Sequence, residues 1–312
     1  MRLYPGSITD IAGIRVGCSD SEAEMTGCTM VLFDRLFVAG CDVRGGGPGT
    51  LQTDILSPLA GGLADGVMLA GGSAFGLCSV EGAMRWLEEQ GRGFDTGLKR
   101  IPLVPGAIIF DLGVGDKDAR PGARMGYAAC VAASRRVEQG SYGAGTGATV
   151  GKLLLGRGMD KGGQGTAAVE LGAGLTVGAL MVVNALGDVY EGETIIAGLH
   201  DENGAYLNSI RLMLEGERAN VFGNNTTIGV VATNASLTPA QAAKMAMVAQ
   251  DGLALAIRPV HTMADGDTVF AAASGEVAAE GEFNRILAAA AEATRRAIVN
   301  AALAAKGRPG PG

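Results

Sequence analysis

Gly223-Asn224-Asn225-Thr226-Thr227-Ile228-Gly229-Val230-Val231-Ala232 is the stretch from which the rest of the chain is best read. It sets small polar residues directly before an apolar run, and 226–233 reads as a buried strand. The plain reading is a loop running into a strand. The sharper reading is chemical. A threonine hydroxyl held against the carbonyl of its own preceding peptide can attack it. The amide becomes an ester, water cleaves the ester, and a new N-terminal threonine appears. Its α-amine, with a reference pKa of ~7.7–8.0, can then act as general base for its own hydroxyl. That scheme needs no histidine, which suits a chain holding only His200 and His261.

Outward from this stretch, short apolar runs bounded by glycine read as further buried strands. They lie at 29–33, 37–43, 67–70, 107–112, 166–171, 175–185 and 268–273. Helical spacing alternates with them at 73–90 and 121–136. A third helix starts at Thr238, with Pro239 in its first turn, and runs to about Ala256. A fourth covers 282–305. Alanine on most faces of the two late helices predicts close packing inside a layer. The class is α/β, with mixed sheets covered by helices.

Composition narrows the function. The chain has 312 residues, 47% hydrophobic, only 18% charged and 51 glycines, so it can bury a large core with many close backbone approaches. A net charge of −7 without a Lys/Arg stripe argues against a nucleic-acid partner. No apolar run approaches ~18 residues, so no membrane span is expected, and the N-terminus lacks the apolar stretch of a signal peptide. Five widely spaced cysteines form no CxxC pair, which predicts reduced, mostly buried thiols and a cytoplasmic protein.

Several motifs fail on inspection. Thr146–Lys152 approaches a phosphate loop but has Thr146 where glycine is needed and Leu153 where Ser/Thr is needed. Gly71-Gly72-Ser73-Ala74-Phe75 approaches a nucleophile elbow but ends in Phe75, and reads better as a glycine turn capped by Ser73. Gly45-Gly46-Gly47-Pro48-Gly49-Thr50 reads either as an anion nest or as a loop near a site. Asp265-Gly266-Asp267-Thr268 reads as a turn, or as a carboxylate pair orienting something polar at a strand edge. His261 reads as packed or hydrogen-bonded, not as a metal ligand.

Longer segments in a fixed order carry a resemblance. They are Ile8–Gly17 (ITDIAGIRVG), Gly45–Thr53 (GGGPGTLQT), Ala70–Leu77 (AGGSAFGL), Gly143–Lys152 (GAGTGATVGK) and the Asn-Thr-Thr-Ile junction. From about 8 to 273 the chain resembles peptidase family S58, the P1 peptidases. That family holds DmpA-type L-aminopeptidase/D-esterases, β-peptidyl aminopeptidases, pantetheine hydrolases and nylon-oligomer endohydrolases. The resemblance implies an N-terminal-nucleophile hydrolase built as a four-layer αββα sandwich. It implies one domain, 1–306, cut at Asn225–Thr226 into chains of 225 and 87 residues; the Gly/Pro-rich residues 307–312 read by themselves as a disordered tail.

By the same resemblance Thr226 is the nucleophile, Lys152 the active-site lysine and Asn184 the oxyanion donor. Asp265 and Asp267 are carboxylates beside the nucleophile, able to orient Lys152 or the Thr226 ammonium. No cofactor or metal is implied, and a homo-oligomer, a tetramer, is. Two departures stand out. Phe110 occupies a position where several members have tyrosine, so a second oxyanion donor must come from backbone or water. The Asn-Thr junction places the chain nearer the threonine branch than the Gly-Ser branch. The expected activity is hydrolysis of small peptides or amides with an unhindered amine end. Endo-hydrolysis of 6-aminohexanoate oligomers is the alternative, and a non-catalytic small-molecule-binding protein is the rival from another class.

Overall fold

The first two strands, β1 (Ile14–Ser21) and β2 (Thr26–Val43), pair antiparallel with Ile14 opposite Phe33 and Ser21 opposite Thr26. In the computed structural model, which describes residues 1–154, 156–218 and 225–305, β2 runs unbroken through both segments expected at 29–33 and 37–43. Six more long strands or strand pieces follow. They are β3 (Leu63–Ala70), β4 (Gly106–Ile108), β5 (Gly163–Gly172), β6 (Leu175–Asn184), β7 (Thr226–Ala235) and β8 (Thr268–Val277). Their order is β5-β6-β7-β8-β2-β3-β4, and the two-residue strand Thr50–Leu51 follows β4. β7 and β8 are parallel, as are β3 and β4, so the sheet is mixed as expected.

β2 changes partners along its length. Its first half pairs with β1, and its second half pairs with β8, from Val38 opposite Ala273 to Val43 opposite Thr268. The ladder to β3 shifts register between Leu32 and Phe37. The strand thereby divides the sheet into two leaves. Side-chain parity shows how they stack. Val31, Phe33, Val67 and Leu69 of one leaf meet Leu180, Val182, Ile228, Val230 and Phe270 of the other in a shared core. The alternate residues face outward. Met181, Val183, Val231, Val269 and Ala271 pack against helices α3 (Pro239–Ala256) and α4 (Phe283–Ala305), counted with α1 (Ser79–Glu89) and α2 (Ala123–Ala132). Met30, Leu32 and Met68 pack against Val80 and Leu87 of α1 and Cys130 of α2. Three apolar interfaces make four layers, helix–sheet–sheet–helix, as the resemblance implied.

Glycine permits the helix layers to sit this close. A Cβ on Gly82 of α1 would lie 1.8 Å from the Ala123 carbonyl oxygen, and one on Gly126 of α2 would lie 1.9 Å from that of Ser79. α3 begins as read. Thr238 accepts from the Gln241 N–H, and Gln241 reciprocates to the Thr238 N–H at 2.9 Å, a capping box with Pro239 in the first turn.

Other boundaries differ for local reasons. The expected helix 73–90 starts as a 3-10 helix, Ser73–Cys78, before α1. Ser73 does not cap it. Asp111 Oδ1 takes the Gly72 N–H at 2.6 Å instead, and both Gly72 and Ser73 are left-handed. The helix expected at 121–136 is only Ala123–Ala132, because Ser134 leaves to pair with Val16. The strand expected at 107–112 stops at Ile108, since Asp111 turns inward to Gly72 and Thr26. β1 was not anticipated. Gly223, Asn224 and the tail at 307–312 lie outside the described residues. Among the described residues no helix is long and apolar enough to cross a membrane. All five cysteines are free: Cys28 and Cys130 are buried, Cys18 and Cys41 half-buried, and Cys78 exposed.

Candidate active site

Thr226 is the first residue of β7, in the middle of the larger leaf, and is 2% exposed. Its cross-strand partner on β6 is Asn184, the last residue of that strand. On the other side the parallel register to β8 pairs Ile228 with Thr268. The same offset continues backward as a bridge between Asn225 and Asp265. The Asn225–Thr226 peptide is therefore held inside the sheet's hydrogen-bonding pattern.

The junction peptide is gripped at its carbonyl. The Asn225 carbonyl accepts from the Gly266 N–H at 2.8 Å and from the Thr226 hydroxyl. The Asn225 side-chain amide donates to the Ala264 carbonyl at 3.3 Å, while its Oδ1 is buried without a partner. A Cβ at Gly266 would come within 2.9 Å of Thr226 Oγ1, so only glycine brings this N–H so near the hydroxyl.

The predicted residues converge here. Lys152 Nζ donates to the Asn184 carbonyl at 2.9 Å and to its Oδ1 at 2.8 Å. Asn184 Oδ1 also accepts from Thr149 N, and Nδ2 donates to the Phe110 carbonyl at 3.1 Å. Two donors on one oxygen fix which way the amide faces. Burial pushes the Lys152 ammonium down from the ordinary lysine range to about 7, against the opposing pull of Asp265 and Asp111.

The two carboxylates hold backbone. Asp265 accepts from Leu186 N at 3.3 Å, and from the Thr262 N–H and hydroxyl at 3.1 and 2.5 Å. Burial first, and the neighbouring Asp267 charge second, hold its carboxyl above the usual carboxylate range. Asp267 Oδ1 accepts from Thr227 N at 2.7 Å, the amide that follows the threonine. Its Oδ2 accepts from His261 N and Nδ1. His261 is hydrogen-bonded, as read.

The glycine loop resolves the other way. The N–H groups of Gly45, Gly46 and Gly47 donate to the carbonyls of Asp267, Thr262 and Asp265. They are not presented to an anion, so the loop is a brace around the junction. The Thr146–Lys152 segment leads to the short strand Thr149–Val150 and not into a helix, unlike a phosphate loop. Among the described residues no group of three or more His, Cys, Asp or Glu is arranged to hold a metal ion.

A cleft of about 230 Å³ opens beside Lys152 and Asn225, walled by Phe110, Val114, Leu154 and Met159. Gly113, Gly151 and Gly156 also line it, and Arg157 adds a second cation. The arrangement can hold a short, largely apolar chain next to the junction. Sequence reasoning missed Thr149, Gly266 and His261. The spacing of His261, Asp265 and Asp267 within seven residues was the available signal.

The match to the family model runs over residues 6–312. This chain belongs to peptidase family S58. An uncharacterized aminopeptidase of Mycobacterium leprae is 43% identical over 96% of this chain and 91% of its own length. A 6-aminohexanoate-oligomer endohydrolase of Agromyces sp. is 29% identical over 86% of this chain and 75% of its own. The solved L-aminopeptidase D-Ala-esterase/amidase of Ochrobactrum anthropi, described as a variant of the Ntn hydrolase fold, superposes with a TM-score of 0.71. It covers 99% of this chain and 90% of that one at 21% identity, which shows the fold. The S58 membership and these relatives make the protein a hydrolase of peptide or amide bonds.

Proposed function

We propose that this S58 hydrolase matures by cutting its own Asn225–Thr226 bond and then works as a threonine N-terminal-nucleophile amidase/aminopeptidase. The observation that carries the reading is the shared carbonyl. The Thr226 hydroxyl and the Gly266 N–H both address the oxygen of Asn225. In the first step Thr226 Oγ bonds to the Asn225 carbonyl carbon and the C–N bond breaks, giving an ester and a free α-amine. The Gly266 N–H is placed to support the developing oxyanion. Before the cut no α-amine exists, and Lys152, held near neutrality, is the group suited to take the hydroxyl proton. Water then cleaves the ester, leaving a carboxylate on Asn225.

In the mature enzyme the Thr226 amine relays the proton from Oγ to the departing substrate amine. The acyl-enzyme forms and is hydrolysed. In this reading Asn184 Nδ2, which rests on the Phe110 carbonyl at 3.1 Å, and Lys152 turn to the oxyanion once substrate is bound, so no tyrosine hydroxyl is needed from Phe110. Asp267 fixes the amide that follows the nucleophile, and Asp265 fixes the neighbouring Leu186 and Thr262. The substrates are small amides whose acyl portion fits the apolar cleft. The whole of 1–306 is taken as one domain, working in the cytoplasm as a homo-oligomer, a tetramer.

The experiment is turnover of a matched set, amino-acid p-nitroanilides beside 6-aminohexanoate oligomers, with mature protein and with Thr226→Ala. Release of p-nitroaniline by wild type alone is expected. Oligomer products appearing first from internal bonds would favour the endohydrolase reading. No turnover of any amide by correctly cut protein would overturn the amidase proposal.

A further inference from the structure

His261 lies outside the set of residues so far given a role, yet it touches the carboxylate that grips the nucleophile strand. Its main-chain N–H and its Nδ1 reach the same oxygen, Asp267 Oδ2, at 3.0 and 2.8 Å. The other oxygen of Asp267 takes the Thr227 N–H at 2.7 Å. Asp267 is 1% exposed, so these partners replace water for a buried carboxylate. A carboxylate only accepts, so the proton on this ring edge sits on Nδ1. His261 has a left-handed φ of +57°, a strained conformation for a side chain of this kind. Strain here accompanies the two-point grip on one oxygen. Its Nε2 is buried with no partner, so the ring is held by the Nδ1 edge alone.

We propose that His261 is a positioning residue for the reaction at Thr226, acting through Asp267. Its Nδ1–H locks the Asp267 carboxylate in the rotamer that tethers Thr227 N–H. That tether fixes the peptide plane between Thr226 and Thr227, and so the direction of Thr226 Oγ. The proposal rests on the threonine-nucleophile reading and adds a residue to it.

Three variants separate the ring edges. Asparagine at 261 offers an N–H close to where Nδ1 lies, glutamine offers one close to Nε2, and leucine offers neither at similar volume. Self-cleavage rate, kcat and KM are measured for His261→Asn, His261→Gln and His261→Leu, with thermal melting to show each is folded. The expected result is that H261N stays within about threefold of wild type. H261L slows both self-cleavage and kcat at least tenfold, with KM unchanged, because only orientation is lost. H261L running at the wild-type rate overturns the proposal, and so does H261N falling as far as a folded H261L. Rescue by H261Q but not H261N also overturns it, by moving the role to Nε2. A wild type that stays uncut and inactive sinks the threonine reading itself. A wild type that cuts while H261L cuts equally fast sinks this proposal alone.

Discussion

Lys152 Nζ donates to both oxygens of Asn184, and Asn184 is the cross-strand partner of Thr226. A half-buried lysine and the threonine thus share one asparagine at the open end of β6. In the proposed mechanism this relationship ties proton transfer and charge stabilisation to a single side chain.

Removing that side chain has a defined consequence. Asn184→Ala loses an amide donor and the oxygen that steadies Lys152. The expected outcome is a fall in kcat of about 10²–10³ with a smaller change in KM, as for loss of one oxyanion donor. Steady-state kinetics on a chromogenic amide checks it.

In the proposed maturation Lys152 sets the pH dependence of self-cleavage. With its pKa lowered to about 7, the neutral form grows as pH rises through 7. The cleavage rate of freshly folded precursor is expected to rise about tenfold per pH unit below 7 and to level off above it. Lys152→Arg keeps a charge that does not titrate in this range, and is expected to leave the precursor uncut at every pH. Normal cutting by this variant would remove Lys152 as the base.

The same burial has a stability sign. A lysine whose folded pKa is depressed penalises the fold wherever it is charged. The penalty is fully present below about 7 and fades as pH climbs toward the ordinary lysine value of 10.5. Lys152→Met is therefore expected to raise the melting temperature of the uncut chain at pH 6, by less at pH 9, and by little near pH 10.5. Melting at the three pH values, on a Thr226→Ala background to prevent cutting, is the check.

Gly266 is expected to be intolerant for a positional reason. An added Cβ would lie 2.7 Å from the Gly47 carbonyl oxygen and 2.9 Å from Thr226 Oγ1. Gly266→Ala must displace the N–H that holds the Asn225 carbonyl. Precursor should accumulate, with self-cleavage slowed at least tenfold on a denaturing gel time course.

Gly126 tests the layer packing apart from the chemistry. Its Cβ would stand 1.9 Å from the Ser79 carbonyl oxygen, so Gly126→Ala forces α1 and α2 apart. Overpacking of this kind costs typically about 1–3 kcal/mol. A lower melting temperature is expected, with the pH midpoint of self-cleavage unmoved.

Much of this architecture was legible in the chain, and the exceptions have causes. The apolar runs at 175–185 and 226–233 are long and bounded by glycine, and became β6 and β7 almost unchanged. Thr238 and Pro239 announced α3 to the residue. β1 was missed although Ile14, Arg15 and Val16 alternate, because Gly17, Ser19 and Asp20 leave the apolar signal short; its pairing with β2 is a tertiary matter. Asp111 was read as part of a strand, although its carboxylate reaches the Gly72 turn 39 residues away. The junction threonine stood out locally by its residue types, while Lys152 and Asn184 were reached through resemblance alone. Glycines 45 to 47 looked suited to an anion, and only the fold shows their N–H groups already taken. His261 was read only as packed or hydrogen-bonded, because its spacing to Asp265 and Asp267 names no chemistry by itself, and its meaning lies in the distance to Asp267.

The central claim is that Thr226 cuts its own preceding peptide. Intact mass under denaturing conditions, wild type beside Thr226→Ala, tests it most directly. The account predicts two wild-type fragments, residues 1–225 and 226–312 with Thr226 as the new N-terminus, and a single full-length variant. One uncut wild-type chain after long incubation at pH 8, or a Thr226→Ala chain that still cuts at this bond, would contradict it.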